Sequence, residues 1–125
     1  MNVAYADASV FASLAFREPD AGRIRRRLAG FDSVVTSVFT EAELASALKR
    51  EGIALPESPL LGVQLIGSPD PLSREIKEVL GKGYLRGADC WHVAVALNYS
   101  PDRNLTFLSL DKAQRAVAAK LGFTV

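Results

Sequence analysis

Two short apolar runs, each ending in an aspartate, constrain this chain more than anything else in it. The first is M-N-V-A-Y-A-D at residues 1–7, and the second is L-T-F-L-S-L-D at residues 105–111. Val3, Ala4, Tyr5 and Ala6 put apolar side chains on both faces of an extended segment. That is the pattern of a central parallel strand covered by helices on both sides. Leu105–Leu110 reads the same way. In open α/β sheets the chemistry lies beyond the carboxyl ends of the strands. If the two runs are parallel neighbours, Asp7 and Asp111 leave the sheet at one edge, and each is a candidate site residue.

The segments between them alternate in the manner of an α/β domain. Ala8–Phe16 predicts a short helix. Asp20 is placed to cap a second one beginning at Ala21 and ended by Gly30, with Ala21, Ile24 and Leu28 on one face and Arg23, Arg25, Arg26 and Arg27 largely off it. Val34–Thr36 predicts a strand closed by Ser37, and Val38–Arg50 a helix. That helix carries Glu41 and Glu43, and periodicity does not choose between them. Gly52–Pro59 is a connector, and Val63–Ile66 a short edge strand. Pro71 or Leu72 opens a helix running to about Leu80. Leu85–Leu97 is apolar nearly all round and reads as a buried helix, yet Asp89 shares a stripe with His92, Val93 and Ala96. Lys112–Leu121 is a helix with Gly122 as its C′ residue, and Phe123–Val125 a last short strand. The expectation is one domain, residues 1–125, in a three-layer α/β/α architecture with a mostly parallel sheet of four or five strands.

Composition narrows the class. At 125 residues the chain suffices for one core and not two. A net charge of +1 does not mark a nucleic-acid binder by itself. Cys90 is the only cysteine, so no intrachain disulfide framework exists. No apolar run approaches the roughly 20 residues needed to span a bilayer, and no signal peptide is evident. A cytoplasmic protein without membrane contact is expected.

Asp7, Asp89 and Asp111 each have a bland reading as a cap, a turn residue or a solvated side chain. Together they require three separate accidents. Carboxylates gathered at one edge repel, and without a counter-ion some take up protons. A hard divalent cation removes that difficulty, since Mg²⁺ prefers oxygen ligands and keeps several waters. The arginines at residues 23–27 read first as a solvated face. Their functional reading is phosphate contact, and Lys49, Arg50, Lys82, Arg86 and Lys112 are further members of a basic rim. Arg86 also has a competing role as a carboxylate's partner. Trp91 is expected in the core.

Y-A-D-A-S at residues 5–9, T-S-V-F-T-E-A-E-L at 36–44, L-R-G-A-D-C-W-H-V-A-V-A-L at 85–97 and L-S-L-D at 108–111 occur in an order and spacing that carries a resemblance. The chain resembles PIN-domain nucleases, most closely the VapC-type toxins of type II toxin–antitoxin systems. The resemblance spans essentially the whole chain. It departs from the family pattern at Ser109, where threonine is common, and at Cys90 and Trp91. It implies a metal-dependent endoribonuclease toxin acting on RNA, a homodimer, and a cognate antitoxin that holds it inactive. It further implies that Asp7, Asp89 and Asp111 hold Mg²⁺ or Mn²⁺ directly or through water, that Glu43 completes the cluster or orients the attacking water and leaves Glu41 as surface, and that Ser9 and Ser37 hydrogen-bond to carboxylates or metal-bound water. Arg25, Arg26, Arg86 and Lys112 are the candidate RNA contacts. His92 is expected to serve structurally, hydrogen-bonded near Asp89, because a metal already activates water. The alternatives are an RNA-processing PIN nuclease without an antitoxin and a catalytically weak PIN-like binding module.

Overall fold

A computed structural model describes residues 1–125. The chain runs β1 (Val3–Ala6), α1 (Ala8–Ala15), α2 (Ala21–Ala29), β2 (Ser33–Ser37), α3 (Val38–Glu51), β3 (Gln64–Ile66), α4 (Ser73–Lys82), α5 (Gly87–Tyr99), β4 (Thr106–Leu108) and α6 (Lys112–Lys120). The four strands form one sheet in the order β3-β2-β1-β4, and every pairing is parallel. β1, the first apolar run, is therefore central, and the second run, β4, is its neighbour.

The period-2 geometry of the strands sorts the core into two layers. Tyr5, Val35 and Phe107 point to one face and pack with residues of α4, α5 and α6. Ala4, Ala6 and Leu108 point to the other and pack with Val10, Phe11 and Leu44 of α1 and α3. The register pairs Tyr5 with Val35 on one side and with Phe107 on the other. The Tyr5 and Phe107 rings stack at 5.3 Å with 6° between their planes. The alanines on the opposite face let α1 approach β1 closely. No helix is long and apolar enough to cross a membrane.

Three strand exits lead directly into helix caps. Asp7, Ser37 and Asp111 have extended backbones, and their side chains accept from the N–H groups of Ser9, Phe39 and Gln114 at the starts of α1, α3 and α6. Beside the first two exits, Thr36 donates its hydroxyl to the Ala6 carbonyl at 2.6 Å and meets Thr40 at 2.8 Å. That buried contact locks β2 to β1 immediately below Asp7.

The element pattern agrees with the sequence reading, with local differences. β4 stops at Leu108 because the Leu110 N–H is taken by the Ser9 hydroxyl and the Asp111 N–H by the Ser109 hydroxyl. The expected last strand is a single bridge, Thr106 to Thr124, tied by the Phe107 N–H to the Thr124 carbonyl at 2.8 Å. Asp20 does not cap α2. Its backbone is helical, with φ −85° and ψ 0°, so its side chain does not reach the first-turn N–H groups. It meets Arg23 at 3.4 Å instead. Gly122, at φ +102°, ends α6 in the conformation a C′ glycine supplies.

Phe107 is fully buried between the strands and α6. Replacing it with alanine is expected to cost about 3–5 kcal/mol, as for other buried phenylalanines. Urea denaturation followed by circular dichroism reads this directly, and a loss below about 1 kcal/mol would contradict the placement of this ring in the core.

Candidate active site

The caps described above put Asp7 and Asp111 beside one another at the carboxyl edge of the sheet. β1 and β4 leave in register, and the Asp7 N–H still donates to the Leu108 carbonyl. Asp7 is buried, with 4% of its surface exposed. Its Oδ1 accepts from the Ser9 N–H at 3.1 Å and the Ser9 hydroxyl at 2.5 Å. Its Oδ2 has only the Ser109 hydroxyl, at 3.4 Å. That hydroxyl has one hydrogen, and Gln114 Oε1 stands much closer, at 2.5 Å. One oxygen of a buried carboxylate is thus left with spare accepting capacity.

Asp89 comes from the first turn of α5 and Glu43 from α3. Electrostatic coupling ties all four acids together. Burial pushes the Asp7 carboxyl above its ordinary range, the Ser9 hydroxyl and N–H and the nearby His92 oppose this, and the Asp89 charge adds to the rise. Burial likewise pushes Asp89 up, followed by the charges of Asp111 and Glu43, against Arg86 and His92. The N-termini of α1, α3, α5 and α6 supply part of the compensation. Each is worth about 0.3–1 kcal/mol to a nearby negative group.

Glu43 is fixed from an unexpected side. Its Oε1 lies 2.6 Å from His92 Nε2, and His92 Nδ1 lies 2.7 Å from the Tyr5 hydroxyl. Burial holds the Tyr5 phenol far above its ordinary value, with the Asp7 charge adding to the effect, so it stays protonated. The phenol can donate to Nδ1, which leaves the Nε2 hydrogen for Glu43; in the imidazolium form both ring nitrogens donate, one to Tyr5 and one to Glu43. His92 is therefore hydrogen-bonded, as expected, but to Glu43 rather than beside Asp89. Glu41, on the neighbouring position of α3, is exposed.

Gln114 holds the opposite side, and sequence reasoning missed it. Its side chain is fully buried. Oε1 accepts from Ser109, Nε2 donates to the Asp89 carbonyl at 3.1 Å, and its backbone N–H donates to Asp111 Oδ1 at 2.8 Å. One glutamine thus touches the supports of Asp7, Asp89 and Asp111 at once. A signal was present: D-K-A-Q at residues 111–114 has the spacing of a capping box. Here the glutamine reaches across the site instead of back to the cap.

Of the hydroxyls, Ser9 and Ser109 reach Asp7. Ser37 is buried and caps α3 through the Phe39 N–H at 2.8 Å, and it hydrogen-bonds to none of the four carboxylates. Arg86 and Lys112 are exposed beside Asp89 and Asp111, whereas Arg25 and Arg26 are exposed on α2. Trp91, expected in the core, is half-buried. It meets exposed Phe39 edge to face at 6.0 Å and lines a shallow cleft of about 320 Å³ between α3 and α5.

No three His, Cys, Asp or Glu side chains are disposed to enclose a metal ion unaided. The donor set suits an ion that keeps its waters and takes one or two carboxylates, as Mg²⁺ does, better than one needing a closed protein cage. The spare Asp7 oxygen and the raised Asp7 and Asp89 carboxyls fit a cation in the same way, since each is relieved by positive charge.

The family model described as PIN domain matches residues 4–120. No curated protein and no solved structure matches the chain.

A group whose pKa is raised on folding contributes stability below its unfolded value and loses it as pH rises through the folded one. Metal-free protein is therefore strained at neutral pH by Asp7. Asp7→Asn keeps the capping oxygen and removes the charge. It is expected to raise the melting temperature of the metal-free protein at pH 7 by ~3–5 °C, for on the order of 1 kcal/mol. The difference should shrink as pH falls toward and below ~4, where the unfolded Asp7 also takes up its proton. An unchanged or lowered melting temperature at pH 7 overturns this account. Gln114→Leu removes the near acceptor of the Ser109 hydroxyl and the side-chain donor to the Asp89 carbonyl, and is expected to cost about 1–3 kcal/mol in chemical denaturation.

Proposed function

Because the chain belongs to the PIN-domain family, we propose that it is a Mg²⁺- or Mn²⁺-dependent endoribonuclease, and that it acts as the toxin of a toxin–antitoxin pair. Members of this family are generally metal-dependent nucleases. The observation that carries the reading is the meeting of Asp7, Glu43, Asp89 and Asp111 at the carboxyl edge of the sheet, from four separate segments, with the Asp7 and Asp89 carboxyls raised by burial and by one another. A structural cluster would have paired these charges with cations. Here no lysine or arginine forms an ion pair with any of the four, and the cations nearby are exposed Arg86 and Lys112 and, when protonated, His92.

Of Asp7, Asp89 and Asp111, one or two would hold the ion directly and the rest through its waters. When bound, such an ion lowers the pKa of water and offsets charge on a phosphodiester. The chain's own residues set the geometry. Ser9 fixes Asp7 Oδ1 and leaves Oδ2 turned to the site. Asp111 is held by the α6 terminus through Oδ1, which leaves its second oxygen to solvent. Glu43, oriented by His92 and Tyr5, offers one carboxylate oxygen as an acceptor for a water hydrogen. We further propose a homodimer and inhibition by a cognate antitoxin, on the family resemblance of the motifs. A processing nuclease without an antitoxin shares the same chemistry and differs only in partner.

The deciding experiment is RNA cleavage by the purified protein in Mg²⁺ or Mn²⁺, with and without a chelator. Wild type is expected to cleave only with metal. Asp89→Asn should lose at least about a hundredfold in kcat, the scale on which one removed electrostatic contact acts. Cleavage surviving both chelation and Asp89→Asn would sink the proposal. Metal addition should also raise the melting temperature of wild type in proportion to the logarithm of its concentration, and Asp7→Asn should blunt that response. Tyr5→Phe releases His92 without touching the site. It should lower kcat several-fold, on the order of 1 kcal/mol for one lost hydrogen bond, with KM nearly unchanged.

A further inference from the structure

Beside the carboxylates lies a pocket of opposite character. It is about 240 Å³, set between α2 and the junction of β4 with α6, and it is walled by Arg23, Arg27 and Arg115 over apolar Ile24 and Leu108. These guanidinium groups come from helices far apart in sequence. Arg27 and Arg115 enter none of the protein's ion pairs, and Arg23 meets only exposed Asp20 at 3.4 Å, a contact of little value in water. Cations gathered without carboxylates call for an anion. The planar fork of arginine matches phosphate better than a point charge does.

The pocket adjoins the acidic centre through Ser109. Ser109 lines it, and the same hydroxyl lies 3.4 Å from Asp7 Oδ2 and accepts the Asp111 N–H. A second opening of about 380 Å³ shares Arg27, Arg115 and Ser109 and extends to Lys112, next to Asp111. Four carboxylates repel every phosphate except the one their cation neutralises. A polyanion lying across them therefore needs its flanking phosphates held elsewhere, and this basic wall is the adjoining place. The apolar floor can carry a ribose or an unstacked base.

We propose that this pocket is a phosphate subsite for single-stranded RNA, holding a phosphodiester next to the one presented to the carboxylates. The inference rests on the nuclease reading above. It assigns Arg27 and Arg115 to substrate binding, with Arg23 assisting, and distinguishes them from Arg25 and Arg26 on the same helix.

The test measures binding of a short, labelled, mixed-sequence single-stranded RNA by fluorescence anisotropy, in excess chelator and at several salt concentrations. Arg27→Gln with Arg115→Gln is expected to raise Kd at least about tenfold, the scale of lost charge-assisted hydrogen bonds. It should also reduce the slope of log Kd against log salt by about one, near the ~0.7 assigned to each phosphate contact of a single strand. Arg27→Lys with Arg115→Lys should keep the slope while weakening Kd. Arg25→Gln with Arg26→Gln should change both little. Matching melting curves establish that each variant is folded. The proposal is overturned if the first pair binds RNA within about twofold of wild type, or if the Arg25/Arg26 pair loses as much, which would mean diffuse attraction. It is equally overturned if the first pair keeps its RNA affinity and instead loses binding of an oligoglutamate peptide. Cleavage by wild type in Mn²⁺ is read separately. Protein that cleaves but is indifferent to the first pair loses only the pocket. Protein that binds RNA through the pocket but never cleaves loses only the nuclease reading.

Discussion

The structure depends on keeping a buried carboxylate at the end of its central strand. Asp7 sits where β1 leaves the core, with 4% of its surface exposed and the Asp89 charge close enough to raise its charging cost. Burying an unpaired charge is unfavourable by several kcal/mol unless hydrogen bonds or a counter-charge offset it. The surroundings supply part of that compensation. Ser9 gives two donors, the α1 terminus gives a partial positive charge, and the Thr36–Ala6 contact fixes the strand beneath. The balance remains negative at the mouth of the site, which is the condition under which a divalent cation binds with advantage.

No arginine or lysine forms an ion pair with any of the remaining acids. His92 and Tyr5 hold Glu43, and Gln114 ties Ser109, Asp111 and the α5 backbone into one unit. Neutral donors orient a carboxylate without cancelling its charge, whereas an arginine would have done both. The arginines are displaced to the rim, where Arg27 and Arg115 face a pocket. Acidic centre and basic wall meet at a single side chain, Ser109.

Much of this was legible in the chain. The two apolar runs ending in Asp7 and Asp111 gave two parallel neighbours, of which β1 is central and β4 lies at the end of the sheet, and the alternation of elements gave the layers. The helix end at Gly122 was readable because glycine supplies the positive φ found there, whereas Gly30 ends α2 with an ordinary helical backbone. Capping by Asp20 failed because an N-cap needs an extended backbone, which composition does not report. β4 came out shorter than its hydrophobic run because side-chain hydroxyls took the N–H groups that would have extended the ladder.

Local patterns, set by neighbours within a few residues, determined where strands and helices form and which acids lie at strand ends or on a buried helix. Periodicity could not choose Glu43 over Glu41. That choice came from the resemblance of the motif, and a long-range contact with His92 now gives it a physical basis. Tertiary structure alone decided that Gln114 is an internal brace, that Ser37 serves as a cap, and that Arg27 stands apart from Arg25 and Arg26. Each of these depends on which surface packs against it, and such packing joins segments whose separation in sequence carries no local signal.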